Sequence, residues 1–258
     1  YVYGRVRNVQ LAEDLVAAMD GAGIDMSVAL GIVWNDLELC RMANDYVIEA
    51  VRRFPRRLKG FCAVNPRWGA AAIAEVERCA QAGLVGVGEL HPDTQGFDLG
   101  DSATMAPLVE AAVNLGLPIL THASEPVGHL YAGKGHTTPE VLCRFIGNFP
   151  EATLICAHWG GGLPFYTLMP EVSRTLRRVF FDTAASPFLY RPEVFPVVVG
   201  LVGEEKVLLG TDYPLMEQRR LIRQVIDAPL SDEAREGILY NNAARLLGIP
   251  HWNSSAPS

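Results

Sequence analysis

Short apolar runs rich in β-branched residues alternate along the chain with longer stretches whose apolar positions recur at helical spacing, the pattern of a parallel sheet joined by crossover helices. Seven runs read as strands: residues 25–32, 58–65, 84–90, 118–122, 153–158, 179–183 and 206–212. Helical periodicity occupies 9–22, 36–54, 70–82, 106–115, 139–149, 164–177, 192–202 and 216–228, and a closing helix is expected over 232–247. The ends carry matching chemistry: Asn35 is placed to cap one helix, Thr138-Pro139 opens another, and Gly83, Gly116 and Gly248 stop three. No Pro/Ser-rich linker divides the series, so 1–258 reads as one domain with a polar, frayed tail at 249–258.

A doubly wound sheet and a closed barrel both satisfy this alternation, and the positions of the polar residues separate them. Asn65, Glu89, His122, His158, Asp182 and Asp212 each close an apolar run, on six different strands. In an open sheet only ends beside the switch point meet, whereas a barrel gathers every strand end around one mouth. The expected fold is therefore a TIM-type (β/α)8 barrel. Its eighth strand is missing from the count, and because the chain opens with a helix the absent piece is a first strand expected before residue 1. Residues 1–6 are the alternative, with Val2 and Val6 on one face, but Gly4 and Arg5 make a poor buried strand.

Composition narrows the function. The chain carries 22 basic and 29 acidic residues, a formal charge of -7, and its one basic run (Arg52, Arg53, Arg56, Arg57, Lys59) falls at a helix end, where cations suit the dipole. A nucleic-acid partner is not expected. No apolar run reaches the ~20 residues of a membrane span, and the five cysteines are scattered without a CxxC pair, as in a reduced, cytoplasmic protein.

The strand-end residues carry the chemistry. A single histidine there is more often a hydrogen-bonded pocket residue than a ligand. Two histidines and a carboxylate around one mouth, without thiolate, instead outline an open catalytic site for zinc, manganese or iron.

At these positions the chain resembles a family. The segments 117–124 (LPILTHAS), 154–161 (LICAHWGG), 208–214 (LLGTDYP) and 240–249 (YNNAARLLGI) are similar to strands 5, 6 and 8 and the closing helix of the amidohydrolase superfamily. The closest likeness is to its amidohydrolase-related (amidohydrolase 2) branch, near the aminocarboxymuconate semialdehyde decarboxylase type. The resemblance implies His122 and Asp212 as metal ligands, with Asp212 also the catalytic group that orients or deprotonates the metal-bound water. It implies His158 as a ligand in two-metal members or a catalytic hydrogen-bonder in one-metal members. The strand 1 HxH pair of that family has no match here. Glu89 resembles a carboxylate placed on or near the metal in some members, with a buried structural role as its alternative.

The remaining candidates lie around the mouth. Asn65, Trp159, Lys134 and Arg191 are the candidate substrate contacts. Lys134 stands in the long 124–140 loop, suited to covering the mouth, and Arg191 is placed to clamp a carboxylate or merely to flank a helix. Trp34 and Trp159 are expected to pack under the loops or to line the pocket, and His91, ahead of Pro92, reads as a loop residue at the pocket wall. His129 and His136 read as exposed, Asp182 as a support, and the glycines 160–162 as a weak anion cradle. The preferred expectation is a metal-dependent hydrolase that acts on a small carboxylated ester, lactone or amide through a metal-activated water, with zinc first among the metals. The alternatives are a metal-dependent non-oxidative decarboxylase, or a silent small-acid-binding barrel. The partner is a small molecule, and homo-oligomerisation stays open.

Overall fold

A computed structural model of the chain describes residues 11–31, 33–131 and 133–249. The reading of 1–6 as a strand, residues 9 and 10 of the 9–22 helix and the tail beyond 249 lie outside the described residues. Seven strands form one sheet in chain order: β1 (Ser27–Leu30), β2 (Leu58–Cys62), β3 (Gly86–Leu90), β4 (Ile119–Thr121), β5 (Leu154–Cys156), β6 (Val179–Asp182) and β7 (Val207–Leu208). Every neighbouring pair is parallel. The sheet curls as a barrel wall does, because residues following β7 face residues of β3 to β5 across the mouth. This is the expected architecture without its eighth strand among the described residues.

Several strands are shorter than the sequence predicts, and His122, His158 and Asp212 lie beyond the ends of theirs, while Glu89 and Asp182 stay within β3 and β6. β3 to β5 are buried along nearly their whole length, which explains apolar runs without alternation. The register slips between Val87 and Leu90 where β3 meets β4, and Glu89 lies inside the slip. An irregularity of this kind re-aims a side chain that regular pleating would send elsewhere.

Helices follow most strands, and two boundaries moved. Asp36, not Asn35, caps the helix Leu37–Arg53 by accepting from the Leu39 N–H at 2.9 Å. The expected 164–177 helix is broken into a 3-10 segment Leu163–Leu168 and a short helix Pro170–Thr175. Pro164 stands second in the one segment and Pro170 first in the other, and neither supplies an amide to a continuous ladder.

One charged network sits in the apolar layer between β2 and the helices Leu37–Arg53 and Ala70–Gln81. The Glu75 carboxylate accepts from Asn44 at 2.8 Å and from Arg78 at 2.8 and 2.9 Å, while Asn44 also binds both the N–H and C=O of Ala63 at 2.9 Å. Burial works to raise the Glu75 pKa, but the Arg78 and Asn44 bonds win and lower it. Removing one member strands the others' buried donors, so Glu75→Ala is expected to cost about 2–3 kcal/mol. The shift of the urea midpoint checks this.

Candidate metal centre

Among the described residues, Glu89, His122 and His158 bring one donor atom each to within 4.8 Å of the others. They come from the end of β3, the residue after β4 and the turn after β5. His122 Nδ1 lies 3.1 Å from Glu89 Oε1, and His158 Nε2 lies 3.9 Å from the same oxygen. On its other side His122 Nε2 is 3.1 Å from the Gly133 carbonyl and 3.2 Å from Ser124 Oγ. A neutral imidazole has one N–H, yet carboxylate and carbonyl oxygens face both nitrogens. With Nε2–H given to the Gly133 carbonyl, Nδ1 presents its lone pair beside the Glu89 carboxylate, a pairing that a cation between them would satisfy. His158 Nδ1 is 3.3 Å from the Ala184 carbonyl, so that N–H has its acceptor and Nε2 is left to the cluster.

The electrostatics follow from this crowding. Burial pushes the Glu89 carboxyl up, but the His122 hydrogen bond and charge, then His158 and His91, hold it down at about 2. Burial pulls the His158 imidazole down, and the carboxylates of Glu89, Asp182 and Asp212 more than reverse it. His91 is closer to the centre than an X-Pro loop residue suggests. Its ring stacks on His122 at 4.1 Å and 15°, and burial first, then the neighbouring His122, lowers its pKa to about 4.

A left-handed turn sets His158 in place. His158 and Trp159 have φ of 55° and 59°, a region that residues other than glycine seldom adopt. Asp182 Oδ1 holds the turn by accepting from the His158 N–H at 2.9 Å and the Ala184 N–H at 3.0 Å, the supporting role expected of it. Gly161 continues the turn at φ 57°, and a Cβ there would meet the Ser124 carbonyl oxygen at 2.3 Å. Gly161→Ala is therefore expected to cost at least about 2 kcal/mol and to dislodge Ser124 from His122, readable as a lowered Tm.

Asp182 has an acid-range signature. Burial raises its carboxyl from an ordinary 3.8 to about 6, against the His158 charge and the two amide bonds. The folded state then holds a proton that the unfolded chain has released. Stability in metal-free protein is expected to fall as pH rises from about 4 through about 6. Asp182→Asn keeps an acceptor for both amides and should flatten that slope in urea titrations across the window.

The other expected site residues separate. Asp212 follows β7 by four residues at φ 60° and stands outside the three-donor set, although its charge is felt by His158. Burial, then Glu89 repulsion, raise its carboxyl against the pull of His158 and His122, even though the residue keeps a solvent-exposed surface at the rim. Trp159 does not line the pocket: it is 0% exposed, donates to Ser186 Oγ at 2.7 Å and packs edge-on to Phe195. The left-handed turn carries its ring into the core. Asn65 is likewise buried, and its amide is spent on Arg67 N–H, Asn35 and the Gln95 carbonyl. Lys134 Nζ donates to the Val127 and His129 carbonyls of its own loop, and Arg191 pairs with Glu193 on the surface. Sequence reasoning missed Glu125, whose carboxylate accepts from the Tyr131 hydroxyl at 2.9 Å beside Ser124. No helix among the described residues is long and apolar enough to cross a membrane.

A family model described as Amidohydrolase matches residues 5–249. The chain is 26% identical over 243 residues to a 2-amino-3-carboxymuconate-6-semialdehyde decarboxylase of Dictyostelium discoideum, covering 83% of this chain and 67% of that one. It is 23% identical over 294 residues to a gamma-resorcylate decarboxylase of Polaromonas sp., covering 95% and 90%. Its fold matches the crystal structure of a dihydroxybenzoic acid decarboxylase from Polaromonas sp. with bound manganese and the inhibitor 2-nitroresorcinol. That likeness has a TM-score of 0.74 at 20% identity and covers 95% of this chain and 88% of the other.

Proposed function

The chain belongs to the amidohydrolase family, and from that premise we propose that it is a metal-dependent carboxy-lyase acting on a small acid with a hydroxyl or amino group near the departing carboxylate. The observation that carries the reading is the Glu89–His122–His158 cluster, in which His122 has oxygen acceptors at both nitrogens. Its relatives favour carbon–carbon cleavage over the hydrolysis expected from the sequence, because the curated proteins it matches are decarboxylases of such acids. The manganese in a structural relative puts that ion ahead of zinc as the first to test.

The donor set fits a divalent ion: two imidazoles and a carboxylate, with no thiolate, suit manganese, zinc or iron. Glu89, His122 and His158 would hold it. A bound ion would supply Lewis acidity that anchors substrate oxygens and stabilises the charge they carry. The protein's own part is proton transfer and orientation. Asp212 is the proton carrier: burial and the Glu89 charge raise its carboxyl above the ordinary aspartate value, and its exposed surface lets solvent restore the proton. A π-electron pair of the substrate takes that proton at the carbon bearing the carboxylate and forms the new C–H bond. The carbon–carbon bond then breaks, its electron pair restores the π bond, and CO2 departs. His158, pinned through Ala184, fixes the opposite side of the site.

The test is headspace CO2 and substrate loss with manganese-loaded protein and 2,6-dihydroxybenzoate or 3-hydroxyanthranilate. One CO2 per acid consumed, dependent on His122, supports the proposal. Hydrolysis of a lactone or ester of the same size, with no CO2 from any hydroxy or amino acid, contradicts it.

A further inference from the structure

Asp93 joins two walls of the mouth that the sequence keeps 43 positions apart. It stands in the short helical turn Pro92–Gln95 after β3. From the loop after β4, the His136 backbone N–H donates to Asp93 Oδ2 at 2.8 Å, and the His136 ring nitrogen Nδ1 lies 2.6 Å from Oδ1. The chain just before this grip is the part that touches His122. Gly135 N–H donates to Ser124 Oγ at 2.9 Å, and the Gly133 carbonyl lies 3.1 Å from His122 Nε2. Ser124 N–H donates to the Thr137 carbonyl at 2.9 Å, so the loop is tied on both sides of residue 135. A side chain at 135 is incompatible with the grip, because its Cβ would fall 2.1 Å from Asp93 Oδ2. The His136 ring is 97% exposed and reaches no donor of the cluster, so the carboxylate that fixes its backbone matters more than the ring.

We propose that Asp93 is a positioning residue for the metal centre: by gripping residue 136 it holds the Gly133 carbonyl against His122 Nε2–H and leaves Nδ1 to face Glu89. The inference rests on reading Glu89, His122 and His158 as the metal ligands. Its physical basis is that an imidazole offers either nitrogen to a metal, and the hydrogen bond at the other nitrogen decides which. Such outer partners typically alter metal affinity 10- to 100-fold.

Two readouts test it on the full chain. Long-range 1H–15N correlation spectra of metal-free protein report the His122 Nε2–H, and titration with manganese(II), followed by the electron paramagnetic resonance of the free ion, reports affinity. Asp93→Ala and, independently, Gly135→Ala should lose the Nε2–H signal and weaken manganese binding by about 10-fold to 100-fold. Asp93→Asn keeps an acceptor for the His136 N–H and should stay within about threefold of the parent, a rescue that a loss of general stability would not show. An unchanged His122 signal in both disruptive variants, or unchanged manganese affinity despite its loss, overturns the proposal. If the signal is lost as expected but the parent chain binds no manganese, the grip on His122 stands, its effect on a metal fails and the metal reading fails with it. Thermal unfolding identifies a variant that does not fold, and the other then decides.

Discussion

His122→Ala is expected to abolish manganese binding at stoichiometric concentrations and, with it, turnover. The imidazole is the hinge of the cluster: it touches Glu89, stacks on His91 and meets His158 edge-on at 5.0 Å. Its removal takes away one of three donors and the main group that keeps Glu89 ionised in a buried setting. Losing an outer partner alone costs 10- to 100-fold in affinity, so losing a direct ligand should exceed about 100-fold. The Glu89 pKa then rises from about 2, because burial acts without its largest opponent. In metal-free parent protein the ionised Glu89 stabilises the fold above the ordinary carboxylate range, and that contribution fades as pH falls toward 2. In His122→Ala that contribution should be smaller and its fading should be complete at a higher pH. Metal analysis after dialysis and acid unfolding curves measure the two effects.

Asp212→Asn is the second large effect, and it separates proton transfer from metal binding. Asparagine tolerates the left-handed backbone at φ 60° at least as well as aspartate, so the turn after β7 should survive. Asp212 lies outside the three-donor set, and manganese affinity should change by less than about tenfold. Turnover should fall by about 100-fold to 10000-fold, the scale of a lost general acid. A variant that loses both metal and turnover would make Asp212 a fourth ligand, the role the family resemblance gives it. One that retains turnover would remove it from the chemistry.

The architecture was legible because burial and periodicity are local: parallel strands covered on both faces leave uninterrupted apolar runs, and the strand ends announce themselves by a change to polar residues. That is why His122 and His158 could be found. Glu89 was ambiguous because the slip between β3 and β4 that brings it to His122 depends on two strands at once. Asp212 could be named but not placed, since three residues separate it from β7 and the turn between is not regular. Of the two readings for Trp159, packing rather than pocket contact holds, for a conformational reason: a positive φ at a non-glycine residue is not expected from sequence, and it sends the indole into the core. Asn65 and Lys134 sit where expected along the chain, but nearby backbone groups consume their hydrogen bonds. The Asp93–His136 grip was invisible because neither residue carries a motif and nothing local links them.

The most direct measurement is CO2 release by manganese-loaded protein from 2,6-dihydroxybenzoate labelled with 13C at the carboxylate, compared with His122→Ala prepared in parallel. The account predicts one labelled CO2 for each acid consumed by the parent chain and none from the variant. Labelled CO2 produced equally by both proteins, or an acid left intact by a parent chain that instead hydrolyses an ester or lactone, would contradict it.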